Sequence, residues 1–183
     1  FVKEVKQDVW GRNLPQFNNR KVSAQYKDES AVILARYEEL TVDLSKKFNI
    51  FAFGNLKQNT ATHLKRNLIK INDKAALDKF STFDFRTYDR SFNELMLRED
   101  HRTVLGVKVI KPDGTVKEVS TDDYQDANEG KKGQEKRTKL AVPDLQVGDL
   151  IDYFIYDFDV IKEDNLDPTL FIFRADYPIL DYQ

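Results

Sequence analysis

The amino-acid sequence predicts a mainly β fold, an antiparallel β-sandwich with a short N-terminal helix and one other short helix. The chain contains 13 Phe and 8 Tyr but 1 Met, and aromatic residues suit the half-buried surface of a pleated sheet. Its apolar residues come in short runs that alternate with polar ones and are bounded by turn residues. Little helical periodicity lies between these runs, which favours antiparallel sheets packed face to face.

The first 27 residues predict an arm with a short helix, and residues 28–183 predict the sandwich domain. A helix is expected over residues 1–10 because their apolar side chains fall near one helical face, namely Val2, Val5, Val9 and Trp10. Glycine, asparagine and proline between positions 11 and 15 end this helix. The polar, irregular stretch that follows predicts a segment laid on the domain.

Two compact strands and a capped helix are expected next. Residues 31–37 are a compact run of the β type, and residues 64–71 predict another strand, with Leu64 and Leu68 on one side and Ile69 and Ile71 on the other. Asp73 then precedes a short apolar segment, and its carboxylate can accept a hydrogen bond from an amide of the first helical turn. The sequence therefore predicts the second helix over residues 74–80.

A hairpin follows around Lys111-Pro112-Asp113-Gly114. Proline fixes φ near the value that the turn needs, and glycine adopts the left-handed conformation that lets the chain return. Strands are therefore expected over residues 104–110 and 116–119. Residues 120–138 are almost wholly polar and predict an exposed loop.

The strongest strand signal lies in residues 150–160. Every second side chain from Leu150 to Val160 is apolar, with Asp152 as the single exception. The chain then closes on the apolar residues 177–180 without a polar tail. This ending predicts a sandwich that is truncated at its C-terminal end.

The composition argues against several classes of function. Lys and Arg number 29 and Asp and Glu 31, so a net charge of −2 offers no basic face for nucleic acid. The absence of cysteine excludes disulfides, thiolate catalysis and cysteine-based zinc sites. The sequence contains no run of about 18 apolar residues, so no membrane-spanning helix is predicted. No cofactor motif occurs, so no cofactor is expected.

No catalytic residue is predicted. His63 and His101 belong to no metal or nucleophile motif, and the simplest interpretation of each is a surface histidine beside a carboxylate. A serine-histidine-aspartate site assembled from distant residues is left open by the sequence but is not indicated by it. Tyr153 could stack on a sugar ring if its strand face were exposed, although such residues more often pack within a sheet.

An acidic stretch is the candidate cation site. Several carboxylates lie close together in the sequence, and Ca²⁺ takes about 6–8 oxygen ligands. The spacing differs from that of an EF-hand loop, so a solvated acidic loop is the alternative interpretation. The candidate ligands are Asp157, Asp159, Glu163, Asp164 and Asp167.

Three segments in this order resemble one family. They are DESAVIL at 28–34, the hairpin at 107–119 around KPDGT, and VPDLQVGDLIDY at 142–153, with the basic strand HLKRNLIKI at 63–71 between the first two. Over residues 27–182 the chain resembles the domain of unknown function that lies N-terminal to transglutaminase-like domains in exported bacterial proteins. The resemblance implies a β-sandwich, an exported, periplasmic or cell-surface location, and a downstream papain-like domain that uses Cys, His and Asp. None of that triad maps onto this chain.

The function expected from these observations is that of a non-catalytic accessory domain. It would scaffold a transglutaminase-like or peptidase-like domain of the same chain or take part in substrate recognition. The alternative is a free-standing module that binds a glycan or a peptide. An independent hydrolase is the third possibility, and it is disfavoured because no cluster of catalytic groups is visible.

Overall fold

The computed structural model describes residues 1–49, 54–92, 98–120, 124–127, 135–161 and 175–183. Across these residues the fold is mainly β, as predicted. The helices are α1 (Val2–Gly11) and α2 (Lys74–Phe80), with short 3-10 turns at Pro15–Asn18 and Ala24–Tyr26. The strands are β1 (Ala31–Asn49), β2 (Gly54–Ile71), β3 (Thr82–Phe92), β4 (Arg98–Ile110), β5 (Val116–Glu118), β6 (Tyr124–Ala127), β7 (Glu135–Ala141) and β8 (Leu150–Ile161). No helix in these ranges is long and apolar enough to cross a membrane.

The strands form one antiparallel hydrogen-bonded network that divides into two leaves. The central leaf has the order β1-β2-β8-β4, and the second leaf has the order β3-β7-β6. The division lies at one edge of β4, where Arg102 pairs with Tyr88 of β3 but Ile110 pairs with Val116 of β5. Strand β3 therefore pairs with only one part of β4. Its other edge pairs with β7, which in turn pairs with β6.

The main apolar core lies between the two leaves and forms the interior of the predicted sandwich. Ile69, Leu105 and Ile151 line the central leaf, and Leu140 of β7 packs in the same cluster with the half-buried Phe83 of β3. Burial of each large aliphatic side chain contributes about 1.5–3 kcal/mol, so this cluster is what holds the leaves together.

Helix α2 forms where the sequence predicts it and closes one end of the core. Asp73 Oδ1 accepts a hydrogen bond from the Ala76 amide at 2.9 Å, and Asp73 Oδ2 accepts one from the Ser30 hydroxyl at 2.6 Å. The Ser30 hydroxyl and the Ala76 amide stabilise the carboxylate and lower the pKa of Asp73. Ala76 and Phe80 then point into the core.

The N-terminal arm packs against the opposite face of the central leaf. Val9 is fully buried beside Leu64 and Phe154, and the Trp10 ring meets the Phe154 ring edge-on with centroids 4.9 Å apart. Phe17 joins a second cluster on the same face. The molecule therefore has three layers: the arm, the central leaf and the second leaf.

A buried ion pair explains the one polar position on the apolar face of β8. Asp152 accepts hydrogen bonds from Arg66 Nε at 3.0 Å and Nη2 at 2.7 Å. The third guanidinium nitrogen donates to the Val9 carbonyl at 3.3 Å, and the rings of Trp10 and Phe17 lie 4.8 and 4.3 Å from the guanidinium carbon. Arg66 thus joins the arm to the central leaf.

A β-bulge in β1 decides which of its side chains face the second leaf. The register with β2 shifts between Ile33 and Ala35. As a result Leu34 and Ala35 both pack on the side of the arm, and Arg36 follows on the side of the second leaf, opposite Asn67. A polar residue is thereby placed between the leaves.

The second leaf contains strands that the sequence does not reveal. Residues 120–138 are predicted to form an exposed loop, but β6 and the first part of β7 lie within this stretch. These strands pair through backbone groups, for example Asp126 with Thr138, and the inward position of Thr138 is buried although its side chain is polar. Hydrophobic alternation therefore does not mark them.

The last residues run parallel to β1 along its outer edge. The Ile33 amide donates to the Pro178 carbonyl at 2.9 Å, and the Leu180 amide donates to the Ile33 carbonyl at 2.9 Å. The Glu38 amide donates to the Gln183 carbonyl at 2.9 Å. The apolar residues at the end of the sequence therefore cover this part of the edge of the central leaf.

Candidate functional site

Polar side chains gather on the side of the central leaf that faces the second leaf, next to the apolar core. Side chains two residues apart on a strand share a face, so the residues paired across β1, β2, β8 and β4 form rows. We call the surface made by three successive rows the polar face. The rows are Arg36, Asn67 and Tyr153; then Glu38, Lys65 and Ile155; then His63, Asp157 and Thr103.

A chain of hydrogen bonds connects the two predicted acidic residues of β8 with β4. His101 Nδ1 contacts Asp159 Oδ1, and His101 Nε2 lies 3.0 Å from Thr103 Oγ1. The Thr103 hydroxyl donates to Asp157 Oδ1 at 2.5 Å. An aspartate, a histidine and a hydroxyl are thus linked in the same order as in a hydrolytic triad.

The direction of the protons distinguishes this chain from a triad. An ionised carboxylate only accepts hydrogen bonds, so the single hydroxyl proton of Thr103 is given to Asp157 and not to His101. His101 Nε2 then faces the Thr103 oxygen as a donor, and Nδ1 contacts Asp159. In this arrangement the Thr103 proton is directed to Asp157, so His101 does not accept it as a base.

The candidate cation ligands are only partly located. Asp157 and Asp159 lie on one face of β8, where they contact Thr103 and His101, while Glu163, Asp164 and Asp167 lie outside the described residues. In the part of the chain that the structure describes, no three His, Asp or Glu side chains are arranged to hold a metal ion. The calcium site remains a prediction.

The first row of the polar face contains a buried arginine. Arg36 is 6% exposed, and its Nε donates to Asn67 Oδ1 at 2.8 Å. Asn67 is 0% exposed, and its Nδ2 has no hydrogen-bond partner among the described residues. Two donor groups therefore meet at this row.

The second row carries an ion pair. Lys65 Nζ lies 2.7 Å from Glu38 Oε1, and the Glu38 side chain is 3% exposed whereas that of Lys65 is 34% exposed. Burial alone would raise the pKa of Glu38, but the hydrogen bond and the charge of Lys65 outweigh burial and lower it. Glu38 is therefore held as a carboxylate by Lys65.

Tyr153 does not offer an exposed ring for a sugar. Its ring packs against Phe83, with centroids 4.9 Å apart, and lies 6.4 Å from the ring of Phe80. Burial raises the pKa of the Tyr153 phenol, although the charge of Arg36 acts in the opposite direction. The phenol thus stays protonated near neutral pH and can donate a hydrogen bond.

Sequence reasoning identified His63, His101, Asp157 and Asp159 but missed Arg36 and Asn67. The signal for Asn67 was present, because it shares the alternation of Ile69 and Ile71 and so falls on a buried face. No sequence signal marked Arg36, because the face of the sheet on which its side chain lies depends on the bulge in β1. Sites of this kind can be recognised in a sequence by a polar residue at a position where the alternation of a strand predicts a buried side chain.

Comparisons with known proteins add little to this geometry. No protein-family model and no curated protein matches the chain. One solved structure that resembles it is the crystal structure of a "putative protease" from Parabacteroides distasonis ATCC 8503, with 9% sequence identity and a TM-score of 0.47. The match covers 73% of this chain and 23% of that protein. A likeness of this strength carries no argument about function.

Proposed function

We propose that this chain is a non-catalytic accessory β-sandwich domain of an exported, transglutaminase-like or peptidase-like protein. Its task would be to scaffold the catalytic domain or to take part in substrate recognition. Chemistry would then belong to a downstream domain of the same chain that carries Cys, His and Asp. The motif order at 28–34, 107–119 and 142–153 is the sequence support for this proposal.

One structural observation supports the non-catalytic role most directly. The Thr103 hydroxyl donates to Asp157 at 2.5 Å, so its proton is directed away from His101 and the Asp159–His101–Thr103 chain does not activate it as a nucleophile. An activated hydroxyl needs a neutral base that can take its proton. In the present arrangement His101 Nε2 faces the Thr103 oxygen while the Thr103 proton is given to Asp157.

The first experiment measures turnover by the purified chain. We expect no hydrolysis of ester, amide or peptide substrates above buffer, and His101→Ala should leave this background unchanged. Thr103→Val, which removes the hydroxyl at nearly constant shape, is the matched variant. Turnover by the wild-type chain that both substitutions abolish would overturn the proposal in favour of a hydrolase.

The second experiment examines the gene around this sequence. We expect the coding sequence downstream of Gln183 to encode a domain with Cys, His and Asp. Co-expression of the two segments should then raise the yield of folded catalytic domain. A coding sequence without such a domain would remove the accessory role and leave a free-standing module.

A free-standing peptide-binding module is the second candidate. The buried Arg36, and Asn67 Nδ2 without a partner among the described residues, favour a ligand that supplies acceptors, as a peptide does. The glycan version is less well supported, because the Tyr153 ring packs against Phe83. A glycan array with clear, saturable hits would reverse this order.

A further inference from the structure

The row that joins Arg36, Asn67 and Tyr153 carries more hydrogen-bond donors than acceptors. The three residues are direct neighbours across β1, β2 and β8. Asn67 Oδ1 is the one side-chain acceptor that this row gives to Arg36, at 2.8 Å from Nε. Asn67 Nδ2 is the buried donor of this row that has no partner among the described residues, and the outer nitrogens of Arg36 and the Tyr153 phenol are further donors beside it.

The charge of Arg36 is not balanced by a direct partner. Arg36 is 6% exposed as a residue, yet no carboxylate of a described residue lies within 4.0 Å of its guanidinium. Buried charges in proteins are ordinarily paired, because an ion taken out of water costs several kcal/mol. Glu38 is the neighbouring carboxylate on β1, and Lys65 already holds it at 2.7 Å.

The orientation of Asn67 is fixed by Arg36. The Arg36 Nε–H can only donate, so the atom 2.8 Å away must be the amide oxygen and not the nitrogen. The Asn67 Nδ2 therefore has to lie on the other side of the amide, wholly buried and without an acceptor among the described residues. A buried donor left in this way is unfavourable, so an acceptor supplied by a ligand would be stabilising there.

Access to the row is provided by its neighbours. The Lys65 side chain in the next row is 34% exposed, and Asp157 and His101 in the rows beyond have side-chain exposures of 31% and 24%. The polar face therefore passes from the buried Arg36 to solvent within three rows. A small group with two acceptor atoms would approach Arg36 from that side.

We propose that Arg36 and Asn67 bind the carboxylate group of a ligand. A carboxylate supplies two acceptors and a negative charge, which match the planar fork of a guanidinium, and an adjacent amide donor adds a further contact. The Tyr153 phenol supplies a neutral donor at the same row. The inference names the ligand chemistry of the recognition role proposed above and rests on that role.

The experiment follows the side-chain N–H signals of Arg36 and Asn67 by nuclear magnetic resonance. Acetate is titrated against acetamide, which has nearly the same shape but no charge. We expect acetate to shift both signals in a saturable way and acetamide to leave them in place. Equal shifts with both compounds, or none with acetate, would overturn the proposal and leave a donor satisfied by water.

Two further probes distinguish the possible sources of the carboxylate. N-acetylglycine presents the carboxylate of a peptide terminus, and N-acetylglutamate α-amide presents that of an acidic side chain. Tighter binding of the first would indicate recognition of a chain end, and tighter binding of the second would indicate an acidic residue within a peptide. Failure of both to bind, when acetate binds, would limit the site to a free small acid.

Two arginine variants test the role of Arg36 itself. Arg36→Met should weaken acetate binding by about tenfold or more, which corresponds to about 1.4 kcal/mol. Arg20→Met, at an exposed position of the arm, is the matched control and should bind as the wild type does. Unchanged binding by a folded Arg36→Met variant would contradict the proposal. If that variant does not fold, the acetate and acetamide titrations of the wild type still decide it.

The outcome is separable from that of the accessory role. Lack of carboxylate binding in a chain that has no turnover and precedes a Cys/His/Asp domain would overturn only this inference. Carboxylate binding in a chain that itself hydrolyses substrates would overturn the non-catalytic proposal while this site stands.

Discussion

Arg66 and Asp152 form two hydrogen bonds, Nε to Oδ1 at 3.0 Å and Nη2 to Oδ2 at 2.7 Å, between side chains that are 9% and 7% exposed. A buried pair of this kind does not need to add much stability, because both ions lose their hydration. Each of the two charges therefore depends on the other for its compensation in the buried environment.

Removal of one partner should therefore be costly. Asp152→Asn leaves the buried Arg66 guanidinium without its counter-ion, and we expect a loss of about 3–5 kcal/mol in the free energy of unfolding. Urea denaturation measures it, with the exposed Asp78→Asn as the control. The double variant Arg66→Met, Asp152→Leu should recover most of the loss. An Asp152→Asn variant as stable as the control would show that the pair is not needed.

A side chain at Gly106 should destabilise the fold. A Cβ atom at this position would lie 2.7 Å from Phe154 Cζ, and the Phe154 ring also packs edge-on against Trp10. Gly106→Ala is expected to cost about 1–3 kcal/mol by overpacking. Gly11→Ala, where an added Cβ has open space, is the control. A Gly106→Ala variant of unchanged melting temperature would contradict this geometry.

Within the arm-facing core, truncation of the Phe154 side chain should cause the largest loss in the free energy of unfolding. It is 0% exposed and packs with Val9, Leu64 and Trp10. Phe154→Ala is expected to lose about 3–5 kcal/mol in urea denaturation. A loss below about 1 kcal/mol would mean that the ring is not buried in solution.

Acid should weaken the fold partly through Glu38. Burial raises the pKa of Glu38, but Lys65 lowers it more, so the folded-state pKa lies below the ordinary value of 4.5. The unfolded state then binds the proton first, and this contribution to stability is present above pH 4.5 and is lost as pH falls through the folded pKa. Glu38→Gln should flatten the stability curve in this range, whereas Glu29→Gln should not. If the curves of stability against pH for Glu38→Gln and the wild type were parallel, Glu38 would not be the group responsible.

Lys108 should make stability rise with pH a second time, in the alkaline range. Desolvation lowers the pKa of Lys108, whose Nζ lies 4.0 Å from the centroid of the Trp10 ring. Between the folded pKa and 10.5 the unfolded state binds more protons, so stability should rise with pH there. Lys108→Met should remove this rise. Lys79 is the matched comparison, because its hydrogen bond to Asp176 raises its pKa and reverses the sign.

The parts of the fold that could be predicted from the sequence depend on short-range signals. Helix α2 has its cap and its apolar face within eight residues, and Gly114 with a φ of 92° forms the turn that the sequence requires. Long strands such as β8 follow from alternation alone. These elements could be predicted because the residues that determine them lie within the elements themselves.

The parts that could not be predicted depend on distant partners. Asp152 breaks the pattern of β8 until Arg66, 86 positions away, is found beside it. The direction of Arg36 depends on a one-residue bulge in the pairing of β1 and β2. Strand β6 has no periodic signal, and its pairing within the described residues is with β7. Local patterns contain no information about such relationships.

The parallel pairing of the last residues with β1 has a mechanical consequence. The two segments run in the same direction, and backbone hydrogen bonds link Ile33, Arg36 and Glu38 to residues 178–183. A force applied at Gln183 along the strand would load these bonds together in shear, whereas a force across the strand would open them one at a time. The segment should therefore resist pulling along its length far better than peeling, which single-molecule stretching in two attachment geometries would measure.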